Sequence, residues 1–359
     1  MLDIGQLIIT GISGLTLTEE EKHFIETENI GGVILFSKNY ESPAQLTELI
    51  NSIQKLRKEY PLFICTDHEG GRVIRFKTQF TQFPPMLDIA RLDSPKIVFD
   101  VAEMIAHELL ACGINLNLSP VCDIWNNPEN KVIGDRSFGS DHETVSKFVS
   151  SMIRGFEKNN LLSCAKHFPG HGNTLKDSHF DLPIVKKPLD EIREEELQPF
   201  IKAIKARVHM VMMSHIIVEE IDPDLPCSLS PKAHKILREE LKFKGLIISD
   251  DMQMQAITDH WGYEEAAVLA IKAGSDLIEY KDMPEARKGL EGLKAAQKDK
   301  KITTAEFSDR INRVTAMKKE YFSEYKPKYI PDLEKVFNRK PSQIFLKELK
   351  DKIAQMPKA

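Results

Sequence analysis

The densest run of chemically capable side chains is Lys166-His167-Phe168-Pro169-Gly170-His171-Gly172-Asn173-Thr174-Leu175-Lys176-Asp177-Ser178-His179. Three histidines, Lys166 and Asp177 fall within fourteen residues. Pro169, Gly170 and Gly172 favour an irregular excursion over a helix. Two chemistries fit these residue types. His167, His171, Asp177 and His179 have the right donors for zinc, although their spacing matches no local zinc motif and the loop has no thiolate. Alternatively, Asp177 and His179 form a dyad. The carboxylate accepts from one ring nitrogen, and the other nitrogen exchanges a proton with substrate. An Asp177 that only caps its own turn is the third reading, and the motif alone leaves all three open.

Three further stretches carry candidates. Phe243-Lys244-Gly245-Leu246-Ile247-Ile248-Ser249-Asp250-Asp251-Met252 is an apolar run ending in adjacent carboxylates. Successive side chains of an extended chain point to opposite sides, so one carboxylate should face a site. Asp250 is expected there, with Asp251 capping the segment 253–258. In Asp67-His68-Glu69-Gly70-Gly71-Arg72-Val73-Ile74-Arg75-Phe76 the paired glycines would let backbone approach a ligand, and Asp67 and Arg75 offer hydrogen bonds to hydroxyls. Val132-Ile133-Gly134-Asp135-Arg136-Ser137-Phe138-Gly139 adds Arg136, while Arg72 and Asp135 suit a structural ion pair.

The elements that must position these groups follow from hydrophobic patterning. Short β-rich apolar runs occur at 6–12, 32–36, 62–66, 114–121, 162–167, 209–214, 245–249 and 276–280. Most are too apolar for half-exposed strands, as in a parallel sheet covered on both faces. Helical stretches lie between them, at 42–60, 96–112, 141–159, 189–207, 231–242 and 263–273. Several have N-terminal signals, including Thr18-Glu19-Glu20-Glu21, Ser42-Pro43 and Asp190-Glu191. Eight such strands imply an α/β fold, a (β/α)8 TIM barrel. An open doubly wound sheet is the alternative, but Gly11-Ile12-Ser13-Gly14 lacks the G-x-G-x-x-G phosphate cradle. In a barrel, Asp67, Asp123, Lys166, His167, His215 and Asp250 all stand at strand ends on one mouth, where active sites are built.

Composition agrees. The 359 residues are 42% hydrophobic and 29% charged, which excludes disordered and fibrous classes. A net charge of −5 gives no reason to expect a nucleic-acid or membrane partner. The five cysteines contain no C-x-x-C pair and lie mostly in apolar runs, so reduced, buried thiols are expected. The amino terminus lacks a basic region ahead of its apolar core, so no export signal is expected there. From Glu324 the chain changes character. It is punctuated by Pro327, Pro331, Pro341 and Pro357 and carries nine basic residues against five acidic ones. Ile344, Phe345, Leu349 and Ile353 are expected to form one face of a helix strapped to the barrel.

In order along the chain, Asp-x-Glu-Gly-Gly-Arg-Val at 67–73, Ile-Gly-x-Arg-Ser-Phe at 133–138, Lys-His-Phe-Pro-Gly-His-Gly at 166–172 with Asp-Ser-His at 177–179, and Ser-Asp-Asp-Met at 249–252 resemble glycoside hydrolase family three, specifically its β-N-acetylhexosaminidases. The resemblance runs to roughly residue 320. It implies one catalytic barrel over 1–320 and an extension over 321–359, packed on the barrel or partly flexible. It also implies removal of terminal N-acetylglucosamine with retention of configuration. By the same resemblance Asp250 is the nucleophile, and His179, oriented by Asp177, is the acid/base. Asp67, Arg75, Arg136, Lys166 and His167 bind the sugar, and neither metal nor cofactor is needed. Such an enzyme departs from the usual pair of carboxylates about 5–5.5 Å apart. A neutral imidazole can accept a proton from an incoming nucleophile without presenting it a second anion.

The resemblance to the short cytoplasmic members implies a cytoplasmic monomer acting on muropeptides, the anhydromuramyl-peptides of peptidoglycan recycling. His68, where glutamine is commoner, is expected to affect acceptor preference. An N-acetyl-β-glucosaminide phosphorylase using the same residues is the alternative within the class. A metal-dependent barrel hydrolase and a non-catalytic sugar-binding barrel are the alternatives outside it.

Overall fold

The computed structural model describes residues 2–174, 182–322, 324–337 and 339–357. Eight parallel strands close a barrel in chain order. They are β1 (Ile8–Gly11), β2 (Gly32–Ile34), β3 (Phe63–Thr66), β4 (Leu116–Asn117), β5 (Leu162–Phe168), β6 (Met210–Met213), β7 (Leu246–Asp251) and β8 (Leu277–Tyr280). Closure is made by β1 pairing with β8, Ile8 opposite Ile278 and Thr10 opposite Tyr280. Each strand is followed by a helix: α1 (Glu19–Thr27), α2 (Pro43–Lys55), α3 (Pro95–Cys112), α4 (His142–Lys158), α5 (Leu197–Lys205), α6 (Pro231–Lys235), α7 (Tyr263–Ala273) and α8 (Met283–Lys298). This is the expected (β/α)8 TIM barrel, and all eight apolar runs supply its strands.

The patterning explains the layers. Strand residues such as Val33, Ile64, Ala165, Val211 and Ile247 pack outward with Leu46, Ile50, Val101, Val149 and Phe200 of the helices. Cys65, Cys164, Met210, Met212, Leu246 and Ile248 belong to a second buried cluster. All five cysteines are free and buried, as expected. Thr18 caps α1 with the reciprocal Glu21 contact, and Ser42 caps α2 by accepting from the Gln45 amide. The stretch expected as one helix over 189–207 is two, Leu189–Glu194 and α5. Pro199 explains the break, because in a continuous helix its ring would collide with the Glu195 carbonyl four residues earlier.

After the barrel, α9 (Thr304–Tyr321) carries Lys318 beneath it, where Nζ donates to Gln6 Oε1 at 2.8 Å and to the Gly31 carbonyl at 2.6 Å. In α10 (Lys340–Ala354), Leu349 is buried, and Phe345 and Ile353 pack beside it. Ile344, expected on the same face, is 57% exposed. It lies one residue, and so about 100° of helical rotation, away from Phe345. Phe337 fastens the approach to this helix, its ring 4.9 Å from that of Phe80.

Candidate active site

The C-terminal ends of the strands surround a cavity of about 640 Å³. Its wall includes Asp67, Arg75, Arg136, Lys166, His167 and Asp250, so the structure brings together six residues singled out from the sequence. Asp177 and His179 lie outside the described residues.

A row of alternating charges forms one side. Asp67, just after β3, accepts from Arg75 Nη2 at 2.6 Å and from Lys166 Nζ at 2.8 Å. The same Nζ lies 2.6 Å from Glu69 Oε1, and Glu69 receives a bidentate fork from Arg136, both contacts 2.8 Å. The row therefore reads Arg75, Asp67, Lys166, Glu69, Arg136, and Lys166 at its centre is 2% exposed. Burial alone would raise both carboxyls. The Lys166 and Arg75 charges overcome it and hold Asp67 well below the usual range, while Arg136 and Lys166 bring Glu69 to about 2. Burial would lower Lys166, but the two carboxylates raise it to about 12. All five groups are charged at neutral pH, and three of them are donors that can orient hydroxyls by charge-assisted hydrogen bonds.

The paired glycines shape the hairpin that carries Arg75. Gly70 and Gly71 have φ of +112° and +55° and turn a hairpin, His68–Gly70 against Val73–Ile74. A Cβ on Gly70 would come within 2.5 Å of Met86 Cε, and one on Gly71 within 2.9 Å of Pro85 Cα. Their freedom thus returns Arg75 to Asp67 over the segment at 83–86. Arg72 pairs with Asp135 at 3.1 Å, as the structural reading had it.

His68 faces away from the cavity into an aromatic nest, its ring 5.9 Å from Phe76 and 5.5 Å from Phe80. Burial, with Arg75 adding to it, lowers its pKa to about 3, so it is a neutral packing residue. His68 is absent from the cavity wall, so any influence on acceptor preference would have to pass through its neighbours Asp67 and Arg75.

Lys166 and His167 are neighbours on β5, yet both line the cavity. The pairing of β5 with β6 shifts register between Ala165 and Phe168, an irregularity of the kind that re-aims side chains. His167 Nδ1 lies 2.7 Å from Asp123 Oδ2. Asp123 also accepts from the His167 and His171 amides, Oδ1 being 2.7 Å from the latter. Burial opposes ionisation, but His167 and the His171 amide hold Asp123 below the ordinary range. A carboxylate against Nδ1 selects the tautomer protonated there, which leaves His167 Nε2 as an acceptor. His171 turns instead to Thr174, with Oγ1 2.9 Å from Nδ1.

Asp250 and Asp251 repeat the pattern on β7. Both line the cavity, where alternation had placed only one, because the register against β8 shifts between Ile248 and Asp251. Asp251 Oδ1 accepts from the Gln253 and Lys281 amides at 3.0 and 3.2 Å, so it holds the turn at Gln253, whereas the helix Gln255–Thr258 begins at Met254 without a side-chain cap. Burial, with help from Asp250, raises Asp251 to about 6. Asp250 Oδ1 accepts from the Asp251 amide at 2.8 Å. Its carboxylate reaches the cavity from the side opposite the hairpin in strand order.

Sequence reasoning assigned no role to Glu69, Asp123 or Glu279. The first two carried a signal, since Glu69 follows Asp67 in its motif and Asp123 was itself placed at the barrel mouth. Glu279 lay inside an apolar run, where one acid among Leu277, Ile278 and Tyr280 was the only sign.

The model for the N-terminal domain of glycosyl hydrolase family 3 matches residues 2–317, and the chain belongs to that family. It is 36% identical over 285 residues to the Beta-hexosaminidase of Methylobacillus flagellatus, covering 77% of this chain and 81% of that one. A fungal multi-domain family 3 β-N-acetylglucosaminidase superposes with a TM-score of 0.92 at 32% identity. It covers 97% of this chain, which spans 42% of that longer protein. NagZ from Neisseria gonorrhoeae, solved with N-trifluoroacetyl-D-glucosamine, superposes with a TM-score of 0.80 at 30% identity over 97% of this chain and 98% of its own. Within the family, the protein is a glycoside hydrolase of the β-hexosaminidase kind.

Proposed function

We propose that the protein is a retaining exo-β-N-acetylglucosaminidase that releases terminal N-acetylglucosamine from peptidoglycan fragments, the anhydromuramyl-peptides of cell-wall recycling. The observation that carries this reading is the convergence on one cavity of Asp250 and the charge row from Arg75 to Arg136. A cavity of this size suits a sugar with part of its aglycone. Three cationic donors, the Asp67 carboxylate and the His167 Nε2 acceptor match a ring of hydroxyls that both donate and accept.

In this mechanism Asp250 attacks the anomeric carbon as the glycosidic bond breaks. The leaving oxygen takes a proton from His179, which Asp177 orients. His179, now neutral, accepts a proton from water, and that water displaces Asp250 from the glycosyl-enzyme. Each inversion reverses the other, so configuration is retained. Asp67, Arg75, Arg136, Lys166 and His167 hold the sugar. The chain supplies the nucleophile, the proton carrier and the sugar contacts, so no metal or cofactor has a part. Residues 1–320 form the catalytic unit and 321–359 an extension packed on it. The enzyme acts as a monomer in the cytoplasm. No helix among the described residues is long and apolar enough to cross a membrane.

The test is release of p-nitrophenol from its N-acetyl-β-glucosaminide with chelator present, in phosphate-free buffer and then with phosphate. Free N-acetylglucosamine at a phosphate-independent rate is expected. Sugar 1-phosphate as the main product would make the enzyme a phosphorylase with the same residue roles, and activity lost to chelator would sink the metal-free mechanism. Parallel assays on an anhydromuramyl-peptide and a chitooligosaccharide test the aglycone, with the muropeptide expected to give the higher kcat/KM.

A further inference from the structure

Building on the sugar-binding reading above, we infer that Glu279 is a further sugar-contacting residue, hydrogen-bonding the bound sugar from the floor of the cavity. Glu279 belongs to β8, where Tyr280 turns outward and its hydroxyl donates to the Tyr263 carbonyl of α7 at 3.1 Å. Alternation then turns Glu279 into the barrel, and it lines the cavity while only 4% exposed. Its backbone is pinned on the nucleophile's strand side. The Glu279 amide donates to Ser249 Oγ at 3.1 Å, and its carbonyl accepts from the Met252 amide at 3.0 Å.

Its side chain is the anomaly. Oε2 is buried without a hydrogen-bond partner, a costly arrangement that an apolar residue at this position would avoid. Neighbouring charge decides its form. Asp67, just after β3, and Asp251 and Asp250 from β7 add to burial in disfavouring a further anion, while Lys166 from β5 opposes them. The thiols of Cys65 and Cys164, also nearby, are themselves held neutral by burial. Burial and these carboxylates thus push Glu279 well above the usual carboxylate range, toward the protonated form that has a proton to donate. Its last torsion is soft and nearly two-fold, so a half-turn brings either oxygen to the cavity side. An entering sugar oxygen supplies the acceptor that the protein leaves out. Unlike Arg75, Lys166 and Arg136, this donor brings no charge close to Asp250.

The experiment compares wild type with Glu279→Leu and Glu279→Gln by thermal melting and by titration calorimetry with N-acetylglucosamine. Glu279→Leu removes the unpaired oxygen, so its Tm should rise while its Kd for the sugar rises about three- to tenfold, the range of a lost neutral hydrogen bond. Glu279→Gln keeps a donor and should recover most of the lost affinity. Opposite movement of stability and affinity is what a purely structural residue does not give. If Glu279→Leu binds the sugar as wild type does, or if Tm and affinity fall together in both variants, the inference is overturned. Wild type that neither binds N-acetylglucosamine nor cleaves the aryl glycoside overturns the proposed function itself. Normal wild-type behaviour with an indifferent Leu variant overturns only the role of Glu279.

Discussion

Replacing Lys166 with methionine removes the centre of the charge row while keeping most of its volume. Lys166 Nζ stands 2.8 Å from Asp67 and 2.6 Å from Glu69. At an effective dielectric constant of about 20, each contact is worth about 6 kcal/mol of gross Coulomb energy. Desolvation of the buried ammonium offsets much of that gain, and removing one partner from a buried ionic cluster costs about 3–5 kcal/mol. The lower end applies here, because Asp67 keeps Arg75 and Glu69 keeps the fork from Arg136. With an unfolding entropy near 2.1 cal/mol/K per residue, a chain of 359 residues has about 0.75 kcal/mol/K, so the loss corresponds to a Tm lower by about 4 °C. Acid behaviour gives a second reading. Glu69 titrates lower in the folded than in the unfolded chain, so its stabilisation is present above its unfolded pKa of about 4.3 and is lost as pH falls toward about 2. Without Lys166 the folded value rises and the acid-unfolding midpoint moves up in pH. Calorimetric melts at neutral pH and along an acid series check both. A variant with unchanged Tm and unchanged acid midpoint would refute the view that Lys166 ties the row together.

Asp250→Asn should lower kcat by on the order of 10⁴-fold or more, as loss of a covalent nucleophile does, and mass spectrometry of the variant should find no glycosyl-enzyme with a slow fluoro-sugar substrate. His179→Ala should cost substrates with poor leaving groups at least tenfold more than aryl glycosides, which need little protonation as they leave; equal losses in kcat/KM would remove His179 from the acid role. Burial raises Glu108 to about 7, against the hydrogen bonds from Thr81. A raised carboxyl stabilises the fold below its unfolded pKa and loses that contribution as pH climbs through the folded value. Wild type should therefore lose on the order of 3 kcal/mol between about pH 4.5 and 7, and Glu108→Gln should flatten that slope in urea titrations.

The barrel was legible because each strand is covered on both faces, which makes it a continuous apolar run bounded by polar turns. Asp67, Lys166, His167 and Asp250 were legible as charges at the ends of those runs, where only a site or a partner makes burial tolerable, while Arg75 and Arg136 were legible only from the motifs at 67–76 and 132–139. Partnership was not legible. Glu69 meets Arg136 from 67 residues away in the chain, and Asp123 meets His167 from 44, and no local pattern records such pairs. Orientation was equally hidden where register slips. Alternation fails at Lys166-His167 and at Asp250-Asp251, and a slip depends on the neighbouring strand as much as on the residues it displaces. His68 shows the converse. Its place in the motif suggested the site, while its contacts are with Phe76 and Phe80.

The charge row has a consequence for how the site can change over time. Its five members are drawn from the β3 hairpin, the loop after β4 and the end of β5, and every interior member answers to two others. A single exchange at Asp67 or Glu69 takes from Arg75 or Arg136 its carboxylate in the row, so drift at those positions must proceed by compensated pairs. His167, Met212 and Glu279 share the same cavity without belonging to the row. His167 is tied to the buried Asp123, so selection for a new sugar can work through Met212 and Glu279 one step at a time while the row stays constant, and an engineer seeking altered preference should begin with those two.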